Sequence, residues 1–187
     1  METTVLDDLK GQHQEKTALL ISRCLLGEPC RYDGRSKGLD AELLDALRER
    51  YELIPVCPEE DGGLPTPRMP SEIRGGKVLM NMNGQGSELQ RENSLKIEAD
   101  IIDGLKDVTQ YYQRGAELAL EAAVAKGAVL ALLKTKSPSC GCGRVYDGSF
   151  SGTLTEGDGI AADLLKKNGI KVIPSDLLEE LMGARPL

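Results

Sequence analysis

The sequence predicts an α/β fold in which a doubly wound, Rossmann-like, mostly parallel sheet forms a single domain. Three short apolar stretches, TALLISRCL, YELIPVCP and AVLALLKT, have the pattern of strands buried on both faces. A helical pattern separates the first two stretches, and the short loops around it require these strands to run parallel. Strands that alternate with helices in this way are typical of an α/β domain.

The first half of the chain supplies two of these strands, at 17–25 and 51–58. Between them lies a helix at 39–50, whose leucines recur on one face at positions 39, 43, 44 and 47. Residues 59–77 are expected to form an irregular loop over the site, because prolines interrupt this region at 58, 65, 67 and 70.

The second half begins with a short strand at 77–84, either at a sheet edge or in a hairpin. A helix is predicted at 107–126 and ends at Gly127, and residues 94–103 either extend it or form a separate turn. The remaining elements are a strand at 128–135, a helix at 159–169, a strand at 171–175, and a closing helix at 176–184 capped by Ser175 or Asp176.

The composition is that of a soluble globular protein, with 187 residues, 40% hydrophobic and 28% charged. No apolar run reaches the roughly 20 residues needed to cross a bilayer. Residues 1–16 are polar and lack the pattern of a secretory signal, so we expect a flexible leader and a cytoplasmic protein. A net charge of -7 disfavours non-specific nucleic-acid binding and favours small substrates.

Cysteine usage points to a metal site or to redox chemistry. Five cysteines, an odd number, occur in a chain without an export signal, which argues against a disulfide framework. The single histidine, His13, lies in the leader and is expected to be solvated, which removes most histidine-based zinc and triad schemes. Cys24, Cys57 and the 137–142 loop lie at or just past the carboxyl ends of three predicted strands, where ligands of such sheets bind.

The spacing of these cysteines leaves several interpretations open. A single cysteine at a strand end is most often a small buried hydrophobe. No tight CxxC zinc pattern is present, and three thiolates from separate loops suit an iron-sulfur cluster with one open, Lewis-acidic iron. A closed iron-sulfur or zinc site with Cys142 as fourth ligand would instead indicate a sensor or sulfur carrier. Thiol-redox chemistry is less favoured, since Cys140 and Cys142 form a CxC rather than a CxxC pair.

Polar side chains beside the cysteines are candidates for binding a substrate, although each on its own is compatible with a solvated surface. Glu59 follows Cys57 closely, and Ser137 precedes Cys140. Serines of such loops most often cap turns through local hydrogen bonds. The further candidates are Arg31, Asp33, Arg68, Ser139 and Asp147.

Four stretches carry a resemblance to a known family: CLLGEPCRYDGRSK, VCPEEDGGLPTPR, KTKSPSCGCGRVYDGSFSG and GDGIAADLLKKNGIKV. Together they span about 18–175, and they resemble the bacterial thiouracil desulfidases. This resemblance implies a Rossmann-like domain that holds a 4Fe-4S cluster by three cysteines. It also implies that the fourth iron binds the sulfur of a thiolated uracil and that water replaces this sulfur, giving uracil and sulfide.

Matching the motifs assigns the cluster to Cys24, Cys57 and Cys140, with Cys30 and Cys142 as alternates. The resemblance implies an iron-sulfur enzyme that hydrolyses a carbon-sulfur bond without net electron transfer. Glu59 is expected to activate water, and Ser137 to bind the substrate. The expected partner is a small thiolated pyrimidine, as a base or a nucleotide, while thiolated transfer RNA is not favoured.

Overall fold

A computed structural model describes residues 16–183, apart from the side chain of Glu180. Most of the predicted leader at 1–16, including His13, therefore lies outside the described residues, as does the end of the predicted closing helix at Ala184.

The described chain contains ten strands and six α-helices. The strands are β1 (Thr17–Ser22), β2 (Tyr51–Val56), β3 (Ser71–Arg74), β4 (Lys77–Asn81), β5 (Ile101–Ile102), β6 (Leu105–Asp107), β7 (Leu130–Leu133), β8 (Arg144–Tyr146), β9 (Leu154–Glu156) and β10 (Lys171–Pro174). The α-helices are α1 (Ala41–Arg50), α2 (Pro58–Asp61), α3 (Glu88–Leu95), α4 (Thr109–Ala125), α5 (Ile160–Lys167) and α6 (Leu178–Gly183), with 3-10 helices at Arg23–Leu26 and Ser175–Leu177.

A parallel sheet with strand order β10-β7-β1-β2 forms the centre of the fold. In β1, which lies between two neighbours, Leu19 is paired with Leu53 of β2 and with Leu130 of β7. The parallel strands predicted at the three apolar stretches, and the last short strand, are confirmed. The first three end earlier than predicted, because the chain turns before the polar residues that follow.

Helices cover both faces of the parallel sheet, because successive side chains of a strand point to opposite faces. Leu20 of β1 packs in a cluster with residues of α4 and α5, including Ala119 and Leu165. Leu19 and Ile21 pack in a second cluster with residues of α1 and α6. Burial of both faces explains why the central strands β1 and β7 are continuous apolar runs in the sequence.

A second, antiparallel sheet has the order β3-β4-β6-β5 and was not predicted. The expectation of an irregular loop over 59–77 is wrong at 59–61, which belong to α2, because Pro58 occupies the first turn of that helix, where proline is tolerated. It is also wrong at Ser71–Arg74, which forms a hairpin with β4. Prolines exclude a helix there, but a strand can begin directly after Pro70. The strand predicted at 77–84 exists as β4, which ends at Asn81. Of the two alternatives, the structure shows the hairpin, with β3, and β4 lies inside the sheet and not at its edge.

Residues 94–103 do not extend the long helix. A separate helix, α3, ends within this segment at Leu95, and β5 also lies within it. The side chain of Ser87 accepts from the Gln90 amide, and the Gln90 side chain accepts from the Ser87 amide. This capping box was visible in the sequence as Ser-x-x-Gln.

Two smaller differences concern the second half of the chain. The glycine-rich stretch between β7 and α5, for which no strand is predicted, contains an antiparallel hairpin, β8–β9. The predicted closing helix is divided into the 3-10 turn Ser175–Leu177 and α6. The fold is thus mixed α/β, with one parallel sheet and two antiparallel sheets.

A close contact between α2 and α4 fixes the chain that follows β2. A Cβ atom added to Gly115 would lie 1.7 Å from the carbonyl oxygen of Pro58. Only glycine allows the two backbones to approach this closely. The contact holds the segment from Cys57 to Glu59 against α4.

In the part of the chain that the structure describes, none of the helices has the length and apolar character needed to cross a membrane.

Candidate metal centre and its cavity

A cavity of about 730 Å³ opens at the carboxyl ends of β1, β2 and β7. Its wall also includes residues of the antiparallel sheet and of the loop after β8. This location agrees with the expectation that parallel sheets bind ligands at the carboxyl ends of their strands.

Four thiols line the cavity and all are buried: Cys24, Cys30, Cys57 and Cys140. The 3-10 turn after β1 carries Cys24, the residue after β2 is Cys57, and the loop after β7 carries Cys140. Cys142 does not line the cavity, and its Sγ lies 3.8 Å from the carbonyl oxygen of Val172. All five cysteines are free thiols.

Cys30 lies close to a predicted ligand. Its Sγ, the Sγ of Cys57 and a carboxylate oxygen of Glu60 all lie within 4.8 Å of one another. The Sγ of Cys57 is also 3.8 Å from the carbonyl oxygen of Cys30. The turn after the 3-10 helix therefore brings a fourth thiol to the cavity.

Three of the buried thiols, those of Cys30, Cys57 and Cys140, have raised pKa values in the metal-free protein. A hydrogen bond with Cys24 and, to a smaller extent, burial raise the pKa of Cys30 to about 12. A hydrogen bond with Cys57 acts in the opposite direction. Burial raises the pKa of Cys140 to about 12. The pKa of Cys57 is raised as well, through its hydrogen bond with Cys30 and through burial. Metal binding at these thiols must therefore displace protons.

The carboxylate of Glu59 lies in the cavity wall and accepts hydrogen bonds from three side chains. Arg68 donates to Oε2 through Nη2 at 2.5 Å and through Nε at 3.2 Å. Tyr112 donates its hydroxyl to the same oxygen at 3.0 Å, and Ser137 donates to Oε1 at 3.0 Å. The orientation of Glu59 is thus fixed from α4, from the loop after α2 and from the loop after β7.

Arg68 and Tyr112 are fully buried polar groups whose pKa values are raised by the neighbouring carboxylate of Glu59. Burial by itself would lower the pKa of Arg68, but the carboxylate of Glu59 holds that pKa above its ordinary value. Burial, with Glu59 next to it, raises the pKa of Tyr112 well above its ordinary range. The guanidinium is charged and the phenol is neutral, so both act as hydrogen-bond donors.

Ser137 connects Glu59 with the loop that carries Cys140. Its Oγ accepts hydrogen bonds from the amides of Ser139 at 3.0 Å and Cys140 at 3.1 Å. The hydroxyl oxygen therefore caps the turn, as serines of such loops commonly do. The O–H group of the same side chain donates a hydrogen bond to Glu59.

Cations line one part of the cavity. Arg31 binds Asp33 with two hydrogen bonds of 3.1 and 2.9 Å. Lys134 is half-buried and donates to the carbonyl and hydroxyl of Thr135, and in the described part of the chain its ammonium forms no ion pair. Burial lowers the pKa of Lys134, and Arg31 and Lys136 act in the same direction, while Cys24 opposes them.

The loop after β8 forms another part of the wall. The buried carboxylate of Glu72 accepts hydrogen bonds from the amides of Gly148 at 3.0 Å and Phe150 at 2.9 Å. Phe150 lines the cavity with φ of 58°, a conformation that non-glycine residues rarely adopt. Lys136, also in the wall, has φ of 65°. Strained residues of this kind cluster at ligand sites.

The structure brings some of the predicted substrate-binding residues to the cavity and leaves others outside its wall. Arg31 and Arg68 line it, together with the predicted catalytic pair Glu59 and Ser137. The other three candidates have different surroundings. Asp33 orients Arg31, Asp147 accepts from Ser149 within its own loop, and Ser139 has a buried hydroxyl without a hydrogen-bond partner among the described residues.

Several residues of the cavity wall were missed from the sequence. Lys134 and Lys136 belong to the same KTKSPSC motif as Ser137, so their position next to the loop was an available signal. Phe150 lies near the end of the same motif stretch, KTKSPSCGCGRVYDGSFSG, so its position was an available signal as well. Tyr112 carried no such signal, because α4 reaches the cavity only through tertiary packing.

The family model for 2-thiouracil desulfurase matches residues 19–176, which include every residue of this site. The chain belongs to this family. The resemblance that the four sequence stretches carry is therefore confirmed, and with it the prediction that the chain is an enzyme. The matched range begins within β1 and ends just after β10, so it covers the parallel sheet except for the first two residues of β1.

Two relatives of this desulfurase family are similar over most of their length. A Bacillus subtilis (strain 168) protein, YbbK, is 35% identical over 164 residues, which cover 88% of this chain and 99% of YbbK. The solved structure of TudS, described as a [4Fe-4S]-dependent thiouracil desulfidase, is 42% identical with a TM-score of 0.73. It covers 89% of this chain and 95% of the TudS chain.

Proposed function

We propose that this protein removes sulfur from thiolated uracil, as a base or a nucleotide, with a 4Fe-4S cluster held by Cys24, Cys57 and Cys140. The observation that carries the proposal is the convergence of these thiols and of the Glu59–Ser137 pair on one cavity. The description of TudS as a [4Fe-4S]-dependent enzyme supports the cofactor.

The residues present fit such a cluster. Three buried thiols come from three separate chain segments. This arrangement suits a cluster that has protein ligands on one side and an iron without a protein ligand on the other. Arg23 lines the same cavity, and its buried Nε has no hydrogen-bond partner among the described residues. A cluster sulfur is an acceptor for this donor, and the cation compensates the charge of the thiolates.

When bound, the cluster supplies a Lewis-acidic iron for the thiocarbonyl sulfur. The reaction is a hydrolysis: a carbon-oxygen bond to water forms, the carbon-sulfur bond breaks, and both water protons leave with the sulfur as hydrogen sulfide. No electrons are transferred in the balance.

Glu59 accepts the proton of the attacking water in this scheme. Arg68 and Tyr112 both donate hydrogen bonds to Oε2. Within residues 16–183, Oε1 accepts a hydrogen bond from Ser137 alone, so Oε1 keeps a lone pair for water. Ser137 positions Oε1 and lies beside the Cys140 loop, between the base and the predicted ligand.

The cavity wall favours a pyrimidine that carries a phosphate. Phe150, Tyr32 and Tyr146 offer aromatic faces for the ring. Lys134 and Lys136 supply positive charge in a chain of net charge -7, and phosphate is the group that such cations bind. A nucleotide would place its ring on the aromatic faces and its phosphate at the lysines. Transfer RNA is not favoured, because the net charge of the chain is negative.

The decisive experiment is anaerobic reconstitution with iron and sulfide, followed by sulfide release from thiouracil and from its nucleotide. We expect turnover by the loaded protein, and loss of both the visible absorbance and the turnover in Cys24→Ser, Cys57→Ser and Cys140→Ser. The matched control is Cys142→Ser, whose thiol lies outside the cavity. Retention of cluster and activity in all three ligand variants would contradict the proposal.

A second candidate function is a non-enzymatic sensor or sulfur carrier with a closed metal site. Cys30 favours it, because this fourth thiol lines the cavity where an open iron is otherwise expected. Cys142, the fourth ligand expected from the sequence, does not line the cavity. A loaded protein without turnover on any thiobase, and with four cysteines needed to retain its metal, would support this alternative.

Three further points belong to the proposal. The order β10-β7-β1-β2, with helices on both faces, is consistent with a short doubly wound, Rossmann-like sheet. A single domain over 17–187 is proposed. A cytoplasmic location is proposed from the cysteine usage.

A further inference from the structure

A second set of metal donors overlaps the predicted cluster site without coinciding with it. It consists of Cys30, Cys57 and Glu60, whose donor atoms lie within 4.8 Å of one another. Two of its members, Cys30 and Glu60, do not belong to the predicted cluster ligands. Cys57 alone is shared.

The composition of this set is that of a zinc site. Zinc binds cysteine sulfur at about 2.3 Å and carboxylate oxygen at about 2.0–2.2 Å, so donors of a tetrahedral site lie roughly 3.5–3.8 Å apart. The observed separations of up to 4.8 Å need side-chain movements of about 1 Å or less. Both thiols are buried, so water competes little for the metal.

The carboxylate is already oriented by neighbouring side chains. Thr66 donates its hydroxyl to Oε1 of Glu60 at 2.6 Å, and Arg23 Nη2 lies 3.3 Å from Oε2. Metal-binding carboxylates are commonly held in this way. Arg23 also balances the charge, because two thiolates and a carboxylate exceed the charge of Zn²⁺ by one.

We propose that Cys30, Cys57 and Glu60 bind one Zn²⁺ in the cluster-free protein, with water in the fourth position. The two thiol protons leave to solvent on binding. Because Cys57 cannot serve both sets at once, zinc and the cluster exclude each other, and zinc blocks loading of the enzyme. The inference concerns metal binding and does not depend on the desulfidase reaction.

The test uses the cluster-free full chain with zinc chloride and a competing chromophoric zinc chelator. We expect one zinc per chain in the wild type. Cys30→Ser removes a ligand and should weaken zinc binding by more than about 100-fold. Thr66→Val removes only a hydrogen bond to a ligand, a change that typically costs about 10–100-fold, and should weaken binding by about 10-fold. Glu60→Gln provides a second ligand variant at a half-buried position.

The matched control is Cys140→Ser, which removes a predicted cluster ligand outside the zinc set. It should bind zinc like the wild type and fail to assemble the cluster, whereas Cys30→Ser should assemble the cluster even after exposure to zinc. Wild-type zinc affinity in both Cys30→Ser and Glu60→Gln would overturn the proposal. Equal loss of zinc in Cys140→Ser would also overturn it, because zinc would then use the cluster ligands.

Discussion

Arg68 and Glu59 form an ion pair that is almost closed off from solvent, with Nη2 of Arg68 2.5 Å from Oε2 of Glu59. The side chain of Arg68 is 2% exposed and that of Glu59 is 14% exposed. The same carboxylate accepts hydrogen bonds from Tyr112 and Ser137. The ion pair therefore stabilises the fold and also orients the proposed general base.

Replacing Arg68 by Met should destabilise the protein strongly. The variant leaves the Glu59 carboxylate buried without its cation, which costs about 3–5 kcal/mol in free energy of unfolding. Urea unfolding of the cluster-free protein measures this loss. The matched control is Lys126→Met, which breaks an exposed pair with Glu52 and should cost about 0–1 kcal/mol. Similar losses in both variants would show that burial of the pair does not matter.

Ser137→Ala should lower kcat/KM for thiouracil by about 100-fold or more, because it removes the hydrogen bond that positions Oε1 of the general base. Sulfide release, normalised to iron content, measures the effect. Ser137→Thr keeps a hydroxyl at this position and should recover much of the activity. A Ser137→Thr variant as inactive as Ser137→Ala would argue for a purely steric requirement.

Phe150→Leu should weaken productive binding of the pyrimidine. Stacking on an aromatic side chain contributes about 1–3 kcal/mol per base, so kcat/KM should fall by about 5- to 150-fold. Phe150→Tyr keeps the aromatic face and serves as the control. Steady-state kinetics with thiouracil measure both variants, and equal activity of the Leu and Tyr variants would exclude stacking at this residue.

The cluster-free protein should lose stability at alkaline pH. Burial raises the pKa of Cys140 to about 12 in the folded state, whereas an unfolded thiol ionises near pH 8.5. The unfolded chain therefore releases its proton first. The stabilisation is complete below about pH 8.5 and declines by up to about 1.4 kcal/mol per pH unit until pH 12.

Urea unfolding between pH 8 and 11 under reducing conditions measures this decline. Cys140→Ala should show a shallower dependence on pH than the wild type, because one of the buried thiols is absent. Identical slopes in the two proteins would show that ionisation of Cys140 does not contribute.

The sequence by itself determined the parallel sheet and the residues that follow its strands. Continuous apolar runs marked β1 and β7, because a strand buried on both faces has no polar side. The edge strand β2 was marked by the shorter apolar segment around Leu53 and Ile54. Topology then placed Cys24, Cys57 and Cys140 at one end of the sheet, since parallel strands share a carboxyl edge. Motifs in the same stretches carried the family, which the comparison confirms.

Only the tertiary structure decided which side chains complete the cavity. Arg68 and Tyr112 are distant in sequence from Ser137 and meet it only through Glu59. The antiparallel sheet contributes Glu72, which fixes Phe150 through backbone amides that no sequence pattern shows. Periodicity reports which face of an element is buried, whereas the contacts among loops depend on how separate elements pack. For the same reason, the sequence named Cys30 and Cys142 equally as alternates, and only the fold brings Cys30 beside Cys57.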